Sequence, residues 1–494
     1  MRCKLNINDK NKNKIKNLNY IYIYILILLS LYFISSISIS NSMQDDIYIN
    51  IFTGLSVFIL VINVLSYYQI TQSFFGGYNI YLIIGYFFWN GQSLLKLLNI
   101  DEKYYRSLLS IDNTSILKAE LYLCLFLTIF HLGALVYIYF KPNCIIKLSK
   151  SKIEISMYNK SIRIVALLLM ITSAFFYFDT LVQNAIISSQ MGYGRLYNYD
   201  QIAVVKTSIE NIFEYLAAFF VPGLILLYIS TENQKHYKYL NLLFMVIIAL
   251  NLVAGTRNGA VILIVVLLWL RHNFYKEFKN LKIFIIVFFI GIFLITILNT
   301  ISLTRNMQQI TIDYFIGIFM NNLTNENPII KLISDMGNSG LPLIWTMDLV
   351  PSIFHYKLGL SYLASFLAII PSLLLNGFSL TQEANLAEWL MKVKNMNYGP
   401  GYSLVAELYY NFGWMMSFMG LFLGAFFCKM LYYNKKEDKL KSILNGGFVA
   451  IFMYISLMSS RDSLYLIIRN SFYLILLPGL VIKLVYAMLS KFHK

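Results

Sequence analysis

Apolar stretches close to twenty residues long recur along almost the whole chain, separated by polar breaks in which lysine predominates. A stretch of that length crosses the hydrocarbon core of a bilayer as one α-helix. The pattern therefore predicts an all-α, polytopic membrane protein, with 1–494 forming one integral membrane domain. The spans fall near 19–40, 48–68, 77–98, 119–140, 164–184, 209–230, 239–255, 259–271, 283–303, 403–431, 443–459 and 463–487, about twelve transmembrane helices in all. Alternate breaks collect the basic residues, for example Lys141, Lys147, Lys150 and Lys152, then Lys435, Lys436, Lys439 and Lys441. The other breaks hold most of the acids, including Asp101, Glu102, Asp112, Asp348, Glu383 and Glu388. Lysine and arginine favour the cytoplasmic side, which predicts both termini to be cytoplasmic. The first span, from Tyr20 to Ser40, is too long for a signal-peptide core and lacks a clear cleavage site, so it is read as retained.

The breaks are unequal. Residues 304–402 make one long outer loop, and loops of that length are usually functional when ordered. This one is not hydrophilic: 309–320 and 359–376 are apolar, the second interrupted by Pro371. Both are too short or too broken to span with ease, so they are read as re-entrant or amphipathic helices roofing a cavity. The competing reading makes them a further pair of spans, which leaves the orientation downstream unchanged. No internal repeat is evident, which disfavours the pseudo-symmetric transporter designs.

Composition agrees with the hydropathy pattern. Of the 494 residues 58% are hydrophobic and 13% charged, against roughly 25% charged in soluble domains. The net charge of +16 resides in short loops between spans, which argues for a membrane surface and against a nucleic-acid partner. Cys3, Cys124, Cys144 and Cys428 have neither metal-ligand spacing nor a place in an outer loop, so neither a thiolate metal site nor disulfides are expected.

The candidate chemistry lies where positive charge is unusual. Thr256-Arg257-Asn258, Thr304-Arg305-Asn306 and Ser460-Arg461-Asp462 fall at the outer ends of apolar segments, and Arg469 follows two turns further along. Cations near a bilayer call for anionic partners, and guanidinium forks suit phosphate oxygens. Converging arginines would bind the diphosphate of a lipid carrier; separately, each would snorkel to lipid headgroups. Arg257 stands in a Gly-Thr-Arg-Asn-Gly hairpin (255–259) whose glycines permit close approach of backbone to ligand. Glu407, about one turn inside the tenth span, is costly there unless it balances an arginine or accepts a proton from a sugar hydroxyl. Asp313, Asp348, Glu383, Glu388 and His355 are further loop candidates, and Trp345, Trp389, Tyr398 and Tyr402 would stack on sugars or form an interfacial belt. No phosphate-cradling GxxxxGK[ST] loop and no His/Asp/Glu cluster of metal spacing is present in the sequence, so no cofactor is expected. Short inner loops leave no room for a nucleotide-sugar domain. Any glycosyl transfer would then use a donor already attached to a lipid, on the outer side.

The 255–259 hairpin, the long outer loop, the segment Gly401-Tyr-Ser-Leu-Val-Ala-Glu407-Leu-Tyr-Tyr-Asn-Phe-Gly413 and the stretch from Ser460 to Arg469 together resemble the O-antigen polymerase (Wzy) family. The likeness covers roughly the C-terminal half. It implies a metal-independent, inverting glycosyltransferase with a GT-C-like helical bundle in the bacterial cytoplasmic membrane. Such an enzyme joins undecaprenyl diphosphate-linked repeat units, and a chain-length regulator is implied as a partner. On that reading Arg257, Arg305, Arg461 and Arg469 bind diphosphates, and Glu407 positions or deprotonates the acceptor. The alternatives are an O-antigen ligase, which uses the same carrier, and a flippase or transporter of lipid-linked oligosaccharides. Some members carry an arginine and a glycine with ten residues between them; Arg305 and Gly317 have eleven between them, one too many for that motif, and Arg195 has no such glycine.

Overall fold

The computed structural model describes residues 2–40, 46–141, 152–191, 208–254, 256–277, 311–324, 327–370, 381–434 and 439–491, together with 293, 296, 297 and 300. Arg305, Arg195, Gly255, Pro371, Cys144, most of the expected span 283–303 and the side chains of Arg257 and Cys3 lie outside the described residues. The structure is all-helical, 84% helix with no strands among the described residues. Among its residues, 7 helices are long and apolar enough to cross a membrane, and shorter apolar helices accompany them. Every expected span that lies within the described residues has a helical counterpart.

The long helices of the first half are α1 (Arg2–Ser40), α2 (Asp46–Thr71), α3 (Gly77–Leu97), α4 (Asn113–Phe140) and α5 (Lys152–Met191). Next come α6 (Ser208–Ala217), α7 (Phe220–Ile229), α8 (Gln234–Val253) and α9 (Arg257–Leu270). Helix α4 is the axis of the bundle. It is apolar on every side, as a fully enclosed helix must be, and nearly every residue from Ser115 to Leu135 is buried. Helices α1 and α2 both pack on it. Where Gly133 and, later in the chain, Gly424 meet the facing backbone, an added Cβ would collide with a carbonyl. Small residues let membrane helices approach this closely.

The bundle interior is not purely apolar. Tyr24 donates to Asn63 at 2.5 Å, Ser66 meets His131 Nε2 at 2.8 Å, and Asn90 donates to Glu120 at 2.9 Å. Buried polar groups of this kind must be satisfied inside the protein, because the hydrocarbon core supplies no water. Asn90 departs from helical backbone angles and kinks α3.

The long loop folds into short helices: α10 (Ile312–Thr324), α11 (Pro328–Gly337), α12 (Leu341–Leu349), α13 (Leu360–Leu367) and α14 (Leu386–Val393). Helix α11 packs against α3 and α12 against α4, so this part of the loop sits on one end of the bundle. The final group is α15 (Leu404–Phe412), α16 (Ser417–Leu431), α17 (Lys439–Met458), α18 (Leu464–Ser471) and α19 (Leu477–Lys491). One expectation changes here. The span placed at 403–431 is two helices, because the chain breaks at Gly413, whose φ of +53° ends α15 and where a Cβ would strike the Tyr356 ring at about 2.6 Å. The span at 209–230 is likewise divided, between α6 and α7.

Candidate functional site

Three segments, each about fifty residues from the next in sequence, meet at one place. Helix α15 starts at Ser403, whose side chain caps it by accepting from Ala406 N at 3.2 Å. A serine there satisfies one of the unpaired N–H groups of the first turn. Glu407, in that first turn, is 0% exposed. Its carboxylate accepts from Ser361 Oγ of α13 at 2.7 Å and from the backbone N–H of Leu464, the first residue of α18, at 2.6 Å. Asn411 completes the knot by donating to Ser361 Oγ at 2.7 Å and to the Glu407 carbonyl at 2.8 Å. Among the described residues no arginine pairs with the Glu407 carboxylate; its partners are a hydroxyl and a helix N-terminus. An anionic group is favoured at such an end, where backbone N–H groups point outward.

The turn between α17 and α18 is tied down at two further points. Tyr402 N donates to the Arg461 carbonyl at 2.6 Å, and Ser463 Oγ donates to the Ala384 carbonyl at 3.0 Å. Gly401 precedes the first of these at φ +77°, with the Arg461 carbonyl 2.8 Å from where a Cβ would stand. Only glycine fits that conformation and that approach. Arg461 is thus carried on a turn held by hydrogen bonds to its own carbonyl, to Ser463 and to Leu464. Its neighbour Asp462 has its carboxyl pushed up to about 6 by burial, against the opposing pull of the Arg461 charge.

Arg469 stands apart from Arg461, in the last turn of α18. Its guanidinium donates to the Tyr465 hydroxyl at 2.5 Å and to the Tyr215 hydroxyl, and it lies over both rings, 4.6 Å from the centroid of Tyr215. Its Nε is buried without a hydrogen-bond partner, as is the Ser471 hydroxyl nearby in sequence. Arg257 opens α9, and Thr256 before it folds back to Asn251, donating to the side-chain oxygen at 2.8 Å. The Thr256 hydroxyl is therefore engaged within the hairpin. Tyr402 is fully buried and meets Thr346 at 2.9 Å, and Trp389 packs edge-on against Phe354 and tilted against Tyr410. These aromatics form the interior of the loop rather than an open sugar platform. Asp348 accepts from Ser115 at 2.6 Å, a contact that fastens α12 to α4.

Beside this turn runs an apolar groove of about 890 Å³. Leu464, Phe366 and Met419 line it at the Glu407 end, and it continues between α16, α17, α18 and α19 as far as Lys483. From Leu464 to Lys483 a helix rises roughly 28 Å, close to the thickness of a hydrocarbon core. Phe366, Phe422, Leu476 and Leu480 form exposed lips. A π-helical turn, Phe472–Leu476, makes part of the wall; such turns are frequent at functional positions. Neither the groove nor two buried titratable residues, Glu120 and His131, emerges from the span reading. Glu120 was legible as a lone carboxylate in an apolar stretch, whereas the groove depends on how distant helices pack.

Comparison with known families decides what kind of protein carries this arrangement. The family described as O-antigen polysaccharide polymerase Wzy matches residues 19–493. The chain belongs to that family. Membership extends the resemblance from the C-terminal half to nearly the whole chain, and gives it an O-antigen polymerase role, a glycosyltransferase-type activity on lipid-linked oligosaccharides in the membrane. It is a multi-pass membrane protein. Comparison with curated proteins and with solved structures gives no match.

Proposed function

We propose that this chain lengthens a surface polysaccharide by inverting transfer of a glycan from undecaprenyl diphosphate to another undecaprenyl diphosphate-linked repeat unit, on the outer face of the bacterial cytoplasmic membrane. The observation that carries the reading is that Leu464, three residues after Arg461 and held to Glu407 through its N–H, lines a groove of about 890 Å³. The carrier's tail lies in the apolar groove, and its diphosphate rests at the Arg461 turn. Arg257 and Arg305 serve the second diphosphate, whereas Arg469, held by Tyr465 and Tyr215, braces the far end of α18.

In the reaction an acceptor hydroxyl oxygen attacks the anomeric carbon of the donor glycan. The bond from that carbon to the diphosphate oxygen breaks, and the diphosphate leaves with the electron pair. The hydroxyl proton passes to interfacial water. Arginines preorganised at the leaving group stabilise its developing charge without reorganisation, commonly a large contribution to catalysis. Glu407 acts through the turn: it holds the N-terminus of α18 and thereby fixes Arg461 at the groove mouth, so it is a positioning residue. No step in this scheme calls on a metal.

Purified protein in liposomes with synthetic lipid-linked repeat units tests the proposal, with products resolved as a ladder on a gel. Wild-type protein is expected to convert single repeats into a ladder. Transport of intact repeats across the bilayer without joining them would instead favour the flippase reading, and transfer of finished chains to a lipid A core would favour the ligase.

A further inference from the structure

The two ends of the groove differ in chemistry. No basic side chain lines it at the Glu407 end, whereas Lys141, Lys429 and Lys483 line the far end, together with Asn445 and Tyr432. These lysines come from three separate places: the residue after α4, the last turn of α16, and the middle of α19. Lys141 Nζ lies 3.5 Å above the Tyr432 ring. None of the residues lining the groove is acidic. Among the described residues no carboxylate pairs with Lys429 or Lys483. Each lysine alone would be explained by the negative end of a helix dipole or by snorkelling. Their convergence on one apolar cavity is a different matter, because it sets an anion site directly beside a lipid-sized slot.

We propose that the lysine end binds the phosphate of an anionic phospholipid, with one acyl chain lying in the adjoining half of the groove. A groove as long as the hydrocarbon core leaves the half nearest Glu407 for another lipid. A zwitterionic phospholipid offers the same phosphate but carries its own ammonium, which the lysines repel, so the site selects net negative charge. The inference rests on the lysines and the groove, and does not depend on the chemistry at Glu407.

The test uses the full-length protein in detergent micelles supplied with equal amounts of phosphatidylglycerol and phosphatidylcholine of matched chains, with retained lipid counted by native mass spectrometry. Wild-type protein is expected to retain phosphatidylglycerol preferentially. With each basic group near an anionic surface contributing about fivefold, Lys429→Gln/Lys483→Gln should lower that preference by roughly tenfold or more. Leu480→Trp, which narrows the groove and leaves the charges in place, should also reduce retention. Lys235→Gln/Lys238→Gln, outside the groove, should leave the preference unchanged, and all variants are compared as monodisperse protein. Equal retention of the two lipids by the wild type would overturn the proposal, as would a preference that survives the Lys429/Lys483 change. A drop of the same size in the Lys235/Lys238 control would show general surface charge instead, and also overturn it. So would displacement of the phosphatidylglycerol by an equal concentration of undecaprenyl phosphate.

Discussion

Two buried carboxylates in this molecule have similar first neighbours and different surroundings. Glu120 sits where α2, α3 and α4 meet and accepts from Asn90 at 2.9 Å. The space beside it amounts to about 20 Å³, room for one water molecule. Glu407 accepts from Ser361 and from the start of α18, and the residue it holds there also lines a groove of about 890 Å³. A buried acid with satisfied oxygens is thus no sign of function by itself, since membrane helices use such groups to bind one another. What distinguishes Glu407 is that its hydrogen bonds fix a turn bearing an arginine beside a lipid-sized slot.

The largest effect that would sharpen this contrast is expected at Arg461. Arg461→Ala should reduce polymerisation at least about a hundredfold, the order lost when one preorganised charge-stabilising donor is removed. The turn should remain folded, because its anchors are the Arg461 carbonyl and its neighbours. Ladder intensity per folded molecule measures this, and near-normal ladders would remove Arg461 from the site.

Next in size is the difference between the two acids. Glu407→Ala leaves the Leu464 N–H and the Ser361 hydroxyl without their acceptor, at a cost of about 1–3 kcal/mol for each group. Polymerisation should fall roughly a hundredfold as the turn loosens, whereas Glu407→Gln, which keeps one acceptor oxygen, should lose only about tenfold with an unchanged pH profile. A glutamine variant as inactive as the alanine one, with the acid limb of the profile abolished, would make Glu407 a proton acceptor instead. Glu120→Ala should destabilise the protein by a similar 1–3 kcal/mol, about that of an orphaned donor, while activity per folded molecule stays within roughly twofold.

The smallest expected effect concerns Asp462, whose carboxyl stands near 6 in the folded protein through burial. Above that pH it is charged and offsets Arg461; below it the proton neutralises it. Affinity for an anionic carrier head should therefore rise a few-fold as pH falls from about 7 to 5, a one-charge effect near a half-buried site. Asp462→Asn should show no such rise. The linkage to stability has the same sign. A carboxyl that holds its proton more tightly folded than unfolded favours the folded state at low pH, and that contribution is lost between about 4 and 6. Titration of analogue binding in wild type and variant checks both slopes, and a rise that persists in Asp462→Asn would assign it elsewhere.

Much of the fold was legible because bilayer thickness imposes one length on every span, so a count of apolar stretches recovers the helices. The break at Gly413 was not, since Trp414, Met415 and Met416 continue the apolar run and hydropathy does not register a backbone reversal. Glu407 and the arginines stood out as charges in apolar surroundings. Their partners did not: Ser361 and the Leu464 N–H lie 46 and 57 residues from Glu407, and a backbone N–H leaves no mark in the sequence. Nor does the sequence show how far apart Arg461 and Arg469 come to lie. Arg461 precedes α18 in a turn, while Arg469 is pinned between two tyrosines at the helix's other end.

The central claim is that one lipid carrier seats its diphosphate at the Arg461 turn and its tail along the adjoining groove. The most direct test is photocrosslinking with undecaprenyl diphosphate carrying a photoreactive group in its first isoprene units, followed by peptide mapping. The account predicts labelling at Leu464, Ile468, Phe366 and Met419, reduced by Arg461→Ala. Labelling concentrated on α1 and α2, and unaffected by that substitution, would contradict it.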